Sequence, residues 1–209
     1  MTKEQFKKKL ENYWFYYRIH TIVAVVLILI VGVLVKQCSD RVEPDVTVMI
    51  VSRTVNLTDA QTASIQNMLQ KYTTDINGDG HKVAECECYY FGDAENAQMN
   101  YALQAKLIAN VSDTSRVLYI TDDGYYKELS KTGRLFDNLN NFDATAPKSD
   151  RVALSKLPDF KLSGMPAGFE KLSLSARMLS NMNVDTTSKN KTYTLSVNIL
   201  KSLLKNAGL

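Results

Sequence analysis

The sequence predicts an α/β protein: a membrane-crossing helix, then one three-layer domain built on a βαβαβα unit with a mostly parallel sheet. Three observations carry this. An uncharged apolar run fills residues 21–35. Short β-branched runs alternate with stretches of helical periodicity from residue 45 to 133, the signature of a parallel sheet covered by helices. The chain has 209 residues, 45% of them hydrophobic, enough for one ordinary domain plus an appendage.

The apolar run "TIVAVVLILIVGVLV" is short for a span by itself. Extended back to Trp14 it covers about 22 residues, or ~33 Å at helical rise, the thickness of one hydrocarbon core. Tyr13, Trp14, Tyr16 and Tyr17 read as an aromatic belt at one interface, to which Arg18 and His20 can snorkel. Upstream, Lys3, Lys7, Lys8 and Lys9 outnumber Glu4 and Glu11, so the positive-inside rule places this end in the cytoplasm. The division is then a basic segment and belt (1–20), a transmembrane core (21–35), a polar stalk "KQCSDRVEP" (36–44) and an extracellular domain (45–209) of a single-pass cell-membrane protein. A cleaved signal peptide would need small residues after the run, and a lipoprotein would need them before Cys38. The chain has neither. Apolar residues surround the helix, which argues against a core helix of a soluble protein.

In the domain, "DVTVMIV" is a strand buried on both faces. "LTDAQ" follows, a capping box with Thr58 as N-cap and Gln61 three residues on. Ile65, Met68, Leu69 and Tyr72 continue it at helical spacing. "VAECECYYF" is a second strand by alternation and aromatic content. The next helix carries Ala97, Tyr101, Ala105 and Ile108 as its expected inward stripe. "RVLYIT" is a third buried strand. "DDGYYKELSKTG" is a third helix, with Gly133 as its C-terminal cap. Right-handed crossovers give strand order 2-1-3. Residues 138–161 read as irregular, with Pro147 and Pro158 as breakers. Leu172, Leu174, Ala176 and Met178 alternate as a fourth strand, "VDTTSKNKT" is a polar loop, and a final helix buries Leu200, Leu203 and Leu204. The "NLT", "NVS" and "NKT" triplets read as chance sequons.

The net charge of +3, with basic residues dispersed beyond the N-terminus, excludes nucleic acid as a partner. Three cysteines make no disulfide framework. Cys86 and Cys88 sit two apart on a strand at ~6.5–7 Å, too far for a bond between them, and read as small core residues. A metal pair there would need two more ligands, with His81 the only histidine in reach.

In an open α/β sheet a ligand binds beyond the carboxyl ends of the strands, where their order switches. That edge is built by Ser52, Arg53 and Thr54 after strand 1, Gly92 and Asp93 after strand 2, and Asp122 and Asp123 after strand 3. Arg53 suits a carboxylate or phosphate, or pairs with Asp122 itself. No glycine-rich phosphate loop is present. His20 lies at the membrane edge and His81 at the opposite end of the sheet, and no pair of carboxylates stands out by spacing, so a catalytic site is not expected; the alternative is a cell-envelope enzyme whose site the sequence does not mark.

"TTDINGDGHKV" reads as half of a calcium loop. Asp75, Asn77 and Asp79 take positions 1, 3 and 5, Gly80 the turn at 6, and His81 a carbonyl at 7. Position 12 requires a carboxylate and holds Cys86. The turn reading has Asp and Asn closing Asx turns with glycine left-handed. The calcium reading has a weak ion bracing a surface module. The cofactor expectation is none, or weak calcium.

"RVLYITDDGYYKELSKTGRLFDNL", residues 116–139, resembles the first lobe of bacterial extracellular solute-binding proteins. In that family a strand ends in an acidic turn, and a helix opens with aromatics and closes on glycine before a "lidL"-like run. The anchor "YWFYYRIHTIVAVV" ahead of such a domain looks like uncharacterised single-pass proteins of Gram-positive anaerobes. The resemblance covers residues 1–140. It implies an extracytoplasmic binding or interaction module, partnered by the membrane through residues 14–35 and by an envelope protein or transporter. Solute-binding proteins close two lobes on a ligand, whereas about 165 residues after the stalk make one layer set, so high-affinity solute capture does not follow.

Overall fold

The computed structural model describes residues 3–39, 42–92, 97–131, 135–178 and 187–209. The chain forms two compact units, Met1–Val42 and Glu43–Leu209.

The first unit is one helix, α1 (Lys3–Ser39). Its segment Tyr13–Leu34 is long and apolar enough to cross a membrane, with a mean hydropathy of 2.3. Helical structure continues to Ser39, through the first residues of the segment expected as a stalk. In the aromatic belt Tyr13 stacks on Tyr17, one helical turn away, at 5.2 Å.

The second unit contains β1 (Val46–Ser52), α2 (Asp59–Gln70), β2 (Ala84–Tyr90), α3 (Ala97–Ser112), β3 (Leu118–Thr121), α4 (Asp123–Lys131), β4 (Arg151–Ala153), β5 (Ser173–Ala176) and α5 (Thr187–Asn206). The sheet order is β2-β1-β3-β5-β4. The expected 2-1-3 core is present, with β1 parallel to both neighbours and Val48 opposite Cys86 on one side and Leu118 on the other. The mostly parallel sheet is not: β5 runs antiparallel to β3, and β4 antiparallel to β5. The sheet is mixed because the chain after α4 returns through an irregular stretch instead of a crossover helix. That stretch hides β4, whose three residues are too few to show a period. Short 3₁₀ turns at Leu154–Lys156, Pro158–Phe160 and Phe169–Lys171 fill the rest of the return.

Helices cover both faces. On one, Val46, Val48, Ile50, Leu118, Ile120 and Leu174 meet Ile65, Met68 and Leu69 of α2 and Leu195, Ile199, Leu200, Leu203 and Leu204 of α5. On the other, Met49, Val51, Tyr89 and Tyr119 meet Leu107 of α3, Tyr125 of α4 and Phe136. β1 is buried at every position, as a central parallel strand covered twice must be. The capping box at α2 is present, the Thr58 hydroxyl accepting from the Gln61 N–H and the Gln61 side chain from the Thr58 N–H. α5 begins at Thr187, inside the stretch expected as a polar loop. Gly133 lies outside the described residues.

α3 is the clearest correction within an element. The stripe Tyr101, Ala105 and Ile108 faces solvent, and Leu103, Leu107 and Val111 pack inward. The helix is apolar on two sides, so periodicity alone cannot select the buried one. The inward choice falls to the leucine row.

Candidate functional site

The chain leaves β1 towards α2 on one face of the sheet and leaves β3 towards α4 on the other. Their carboxyl ends therefore flank the switch in strand order. Ser52, Arg53, Thr54 and Asp122 come together there. Asp122 is buried, and both of its oxygens are occupied. Oδ1 accepts the Tyr125 N–H at 2.8 Å, and Oδ2 accepts the Arg53 N–H at 2.5 Å and the Ser52 hydroxyl at 3.0 Å. The Tyr125 bond makes Asp122 the N-cap of α4. Ser52 Oγ in turn accepts the Thr54 and Val55 N–H groups, each at 3.0 Å. Burial pushes the Asp122 carboxyl up, but donation from Tyr125, Arg53, Ser52 and Thr54 outweighs it and holds the pKa below the ordinary carboxylate value.

This arrangement decides what the edge can bind. The helix N-terminus and the free N–H groups after β1 are the elements that hold a ligand anion in other α/β sheets. Here the protein's own carboxylate takes them, and a second anion would meet a fixed negative charge. The Arg53 guanidinium does not pair with Asp122. It lies over the Tyr125 ring, 4.6 Å from its centre, and its Nη2 donates to Glu128 at 2.6 Å in a half-exposed ion pair. Asp123 points away and binds Arg151 at 2.6 Å, and Arg151 covers the Tyr126 ring at 4.3 Å. Gly92 is packed so closely that any side chain would run into the Tyr90 hydroxyl and the Arg53 carbonyl. Asp93 lies outside the described residues.

The calcium-like turn closes on itself at the other end of the sheet. Asp75 accepts the N–H groups of Gly78 at 2.6 Å and Gly80 at 3.0 Å. Asn77 Oδ1 accepts from the Asp79 N–H at 2.9 Å, and Asp79 Oδ1 from the His81 N–H at 2.8 Å. Gly78 and Gly80 take positive φ, 80° and 84°. Buried Asp45, not singled out from sequence, anchors the turn by accepting the Ile76 N–H at 2.7 Å and the Val83 N–H at 2.9 Å. Its signal was a charged residue opening an otherwise apolar strand. Among the described residues no group of three or more His, Cys, Asp or Glu side chains gathers as metal ligands.

A polar seam at the amino end of β3 also escaped the sequence reading. Arg116 binds Glu87 at 2.8 Å and also Asp113, while Asn110 donates to Glu87 at 2.5 Å and to Tyr89 Oη at 2.6 Å. Burial, with Glu87 alongside, pushes the Tyr89 hydroxyl up to about 12. Arg177, buried, donates to the Val111 carbonyl at 2.7 Å and the Asp113 carbonyl at 3.2 Å at the end of α3. The seam braces α3 against the sheet. Cys86 is buried, and burial raises its thiol pKa. Cys88 is exposed, 3.5 Å from Thr62 Oγ1. Neither stands in an electropositive setting that would make a reactive thiolate.

The remaining surface feature is α3. Apart from α1 and Val42, the large hydrophobic side chains exposed among the described residues are Met99, Tyr101 and Ile108, all on this helix. Tyr101 is 75% exposed and Ile108 62%. Ile108 also borders a cleft of about 380 Å³ between α3 and α4, lined by Leu107, Val111, Tyr125, Glu128 and Leu129. No protein-family model, curated protein or solved structure matches the chain.

Proposed function

We propose that this protein is a non-catalytic interaction module, held at the outer face of a cell membrane by α1, whose α3 docks against another protein surface. The observation that carries this is that, among the described residues of the domain from β1 onward, the exposed large apolar side chains are confined to α3. Three further observations support it. Asp122 fills the switch-point edge where a solute-binding lobe would take a ligand. Residues Glu43–Leu209 form one unit, whereas closure on a solute takes two lobes. His81, in the exposed turn at the opposite end of the sheet, offers no base at that edge.

Two measurements test the reading. In a Cys38→Ser background a membrane-impermeant maleimide should label the exposed Cys88 in intact cells, and the chain should leave the membrane fraction only with detergent. A photo-crosslinking side chain at position 101 should give a protein adduct that Ile108→Glu abolishes. Labelling only after permeabilisation would overturn the orientation, and the absence of any adduct would overturn the docking role.

A further inference from the structure

Among the described helices of the domain, α5 alone carries several cations and no acid. Its sequence "TSKNKTYTLSVNILKSLLKN" holds Lys189, Lys191, Lys201 and Lys205 and neither Asp nor Glu. By contrast α2 opens on Asp59, and α4 sets Asp123 and Glu128 against Lys127 and Lys131. The apolar side of α5 faces the core, where Leu195, Ile199, Leu200, Leu203 and Leu204 are buried. Its outer side is a ridge at helical spacing, with Lys191, Thr194, Asn198, Lys201 and Lys205 all exposed. From Lys191 to Lys205 the ridge is ~21 Å long.

Two features extend it. The 3₁₀ turn Pro158–Phe160 packs against α5 and is followed by the exposed Lys161. A groove of about 360 Å³ runs beside Lys191, lined by Thr74, Ile76, Asn190, Thr194 and Asn198, with no carboxylate in its walls. Lys191 Nζ meets the Ile76 carbonyl at 3.5 Å, a long bond that leaves its other donors open. The neighbouring acids are turned to partners of their own. Asp75 accepts the Gly78 and Gly80 N–H groups, and Asp159 accepts from the Tyr72 hydroxyl at 2.6 Å and the Asn206 amide at 3.2 Å. Asp137, near Tyr193, accepts from Asn141, and Asp143, near Lys201, accepts from Thr145.

A cationic ridge selects an anionic partner, and the chain supplies one by its own construction. Six residues separate α1 (Lys3–Ser39) from β1 (Val46–Ser52). A bilayer crossed by α1 is therefore a surface that the domain cannot leave, and tethering raises the effective concentration of its head groups. Each lysine at an anionic bilayer gains roughly fivefold in affinity, so Lys191, Lys201 and Lys205 together gain roughly a hundredfold. Because the leucines of α5 stay in the core, the helix does not insert, and the attraction is electrostatic and screened by salt. The groove beside Lys191 offers amide, hydroxyl and ammonium donors to a phosphodiester.

We infer that the exposed ridge of α5 binds anionic phospholipid head groups through Lys191, Lys201 and Lys205, with the phosphodiester seated in the groove beside Lys191. The inference rests on the reading of α1 as the membrane anchor and is independent of the docking role of α3. The test uses the full chain with Cys38→Ser and Cys88→Ser, reconstituted in phosphatidylcholine vesicles with and without a third of phosphatidylglycerol. A fluorophore on Ser202→Cys, beside the ridge and outside the groove, reports quenching by a nitroxide on the lipid head group. Ala102→Cys on α3, across the sheet, is the control. Quenching at position 202 should rise at least threefold with phosphatidylglycerol and stay flat at position 102. One molar salt, or Lys191→Gln, Lys201→Gln and Lys205→Gln together, should return it to the phosphatidylcholine level with circular dichroism unchanged. Equal quenching at 202 in the two vesicles overturns the inference, as does a rise indifferent to the three substitutions. A label that responds to free glycerol phosphate and not to phosphatidylglycerol assigns the ridge to a soluble anion and also overturns it. Vesicles that float without the chain overturn the anchor and this inference together. Flotation with the chain but no quenching overturns this inference alone.

Discussion

Asp122 is the residue on which the carboxyl edge depends. It caps α4 and ties the turn after β1 to the end of β3 with three donors. Replacing it by Asn keeps the shape but removes the charge and one acceptor. A loss of roughly 1–3 kcal/mol is expected, readable as a lower denaturation midpoint with an unchanged slope. The linkage has a definite sign. The native carboxyl titrates below its unfolded value, so its contribution is complete above a pH of about 4 and is lost as pH falls through the depressed native value. The wild-type chain should lose stability steeply in that acid window, and Asp122→Asn should flatten the slope there. Sequence placed Asp122 at this edge correctly, because strand ends are legible from apolar runs. It did not reveal that Asp122 binds backbone N–H groups while Arg53 turns to Glu128 and Tyr125. Side-chain pairing across 70 residues follows from the packing of α4, which no local pattern encodes.

At the scale of elements, the turn after α2 shows how far a motif carries. The front half of a calcium loop was visible, and so was the missing carboxylate at its end. In the folded domain Asp75, Asn77 and Asp79 already accept the N–H groups of their own turn, and Asp45 fixes its base. Millimolar calcium added to the full chain in detergent should leave the melting temperature unchanged within about 1 °C. A rise of several degrees, as ligand linkage gives when the concentration far exceeds Kd, would return the ion to the turn. The helices and long strands were legible because each has a period and a boundary signal, such as Thr58 and Gln61 at α2. β4 was not, since Arg151–Ala153 pairs only through β5. The inward face of α3 was misread because Tyr101 and Ile108 keep a helical stripe as clean as that of Leu103 and Leu107. A stripe that survives on the outside of a folded domain is itself informative, and here it is what the proposed docking role rests on.

For the whole molecule, α5 joins the leucine-rich cluster that covers the first strand: Leu195, Ile199, Leu200, Leu203 and Leu204 share one core with Val46, Val48 and Ile50. α5 thus shares with α2 the cover of a sheet face whose opening strand lies about 140 residues earlier in the chain. Without α5 the apolar side chains of that face would meet water. The helix therefore acts as a latch on protease resistance. Deleting residues 187–209 should make the domain a rapidly cleaved substrate in limited proteolysis. Equal lifetimes for the two chains would show that the sheet closes without this helix.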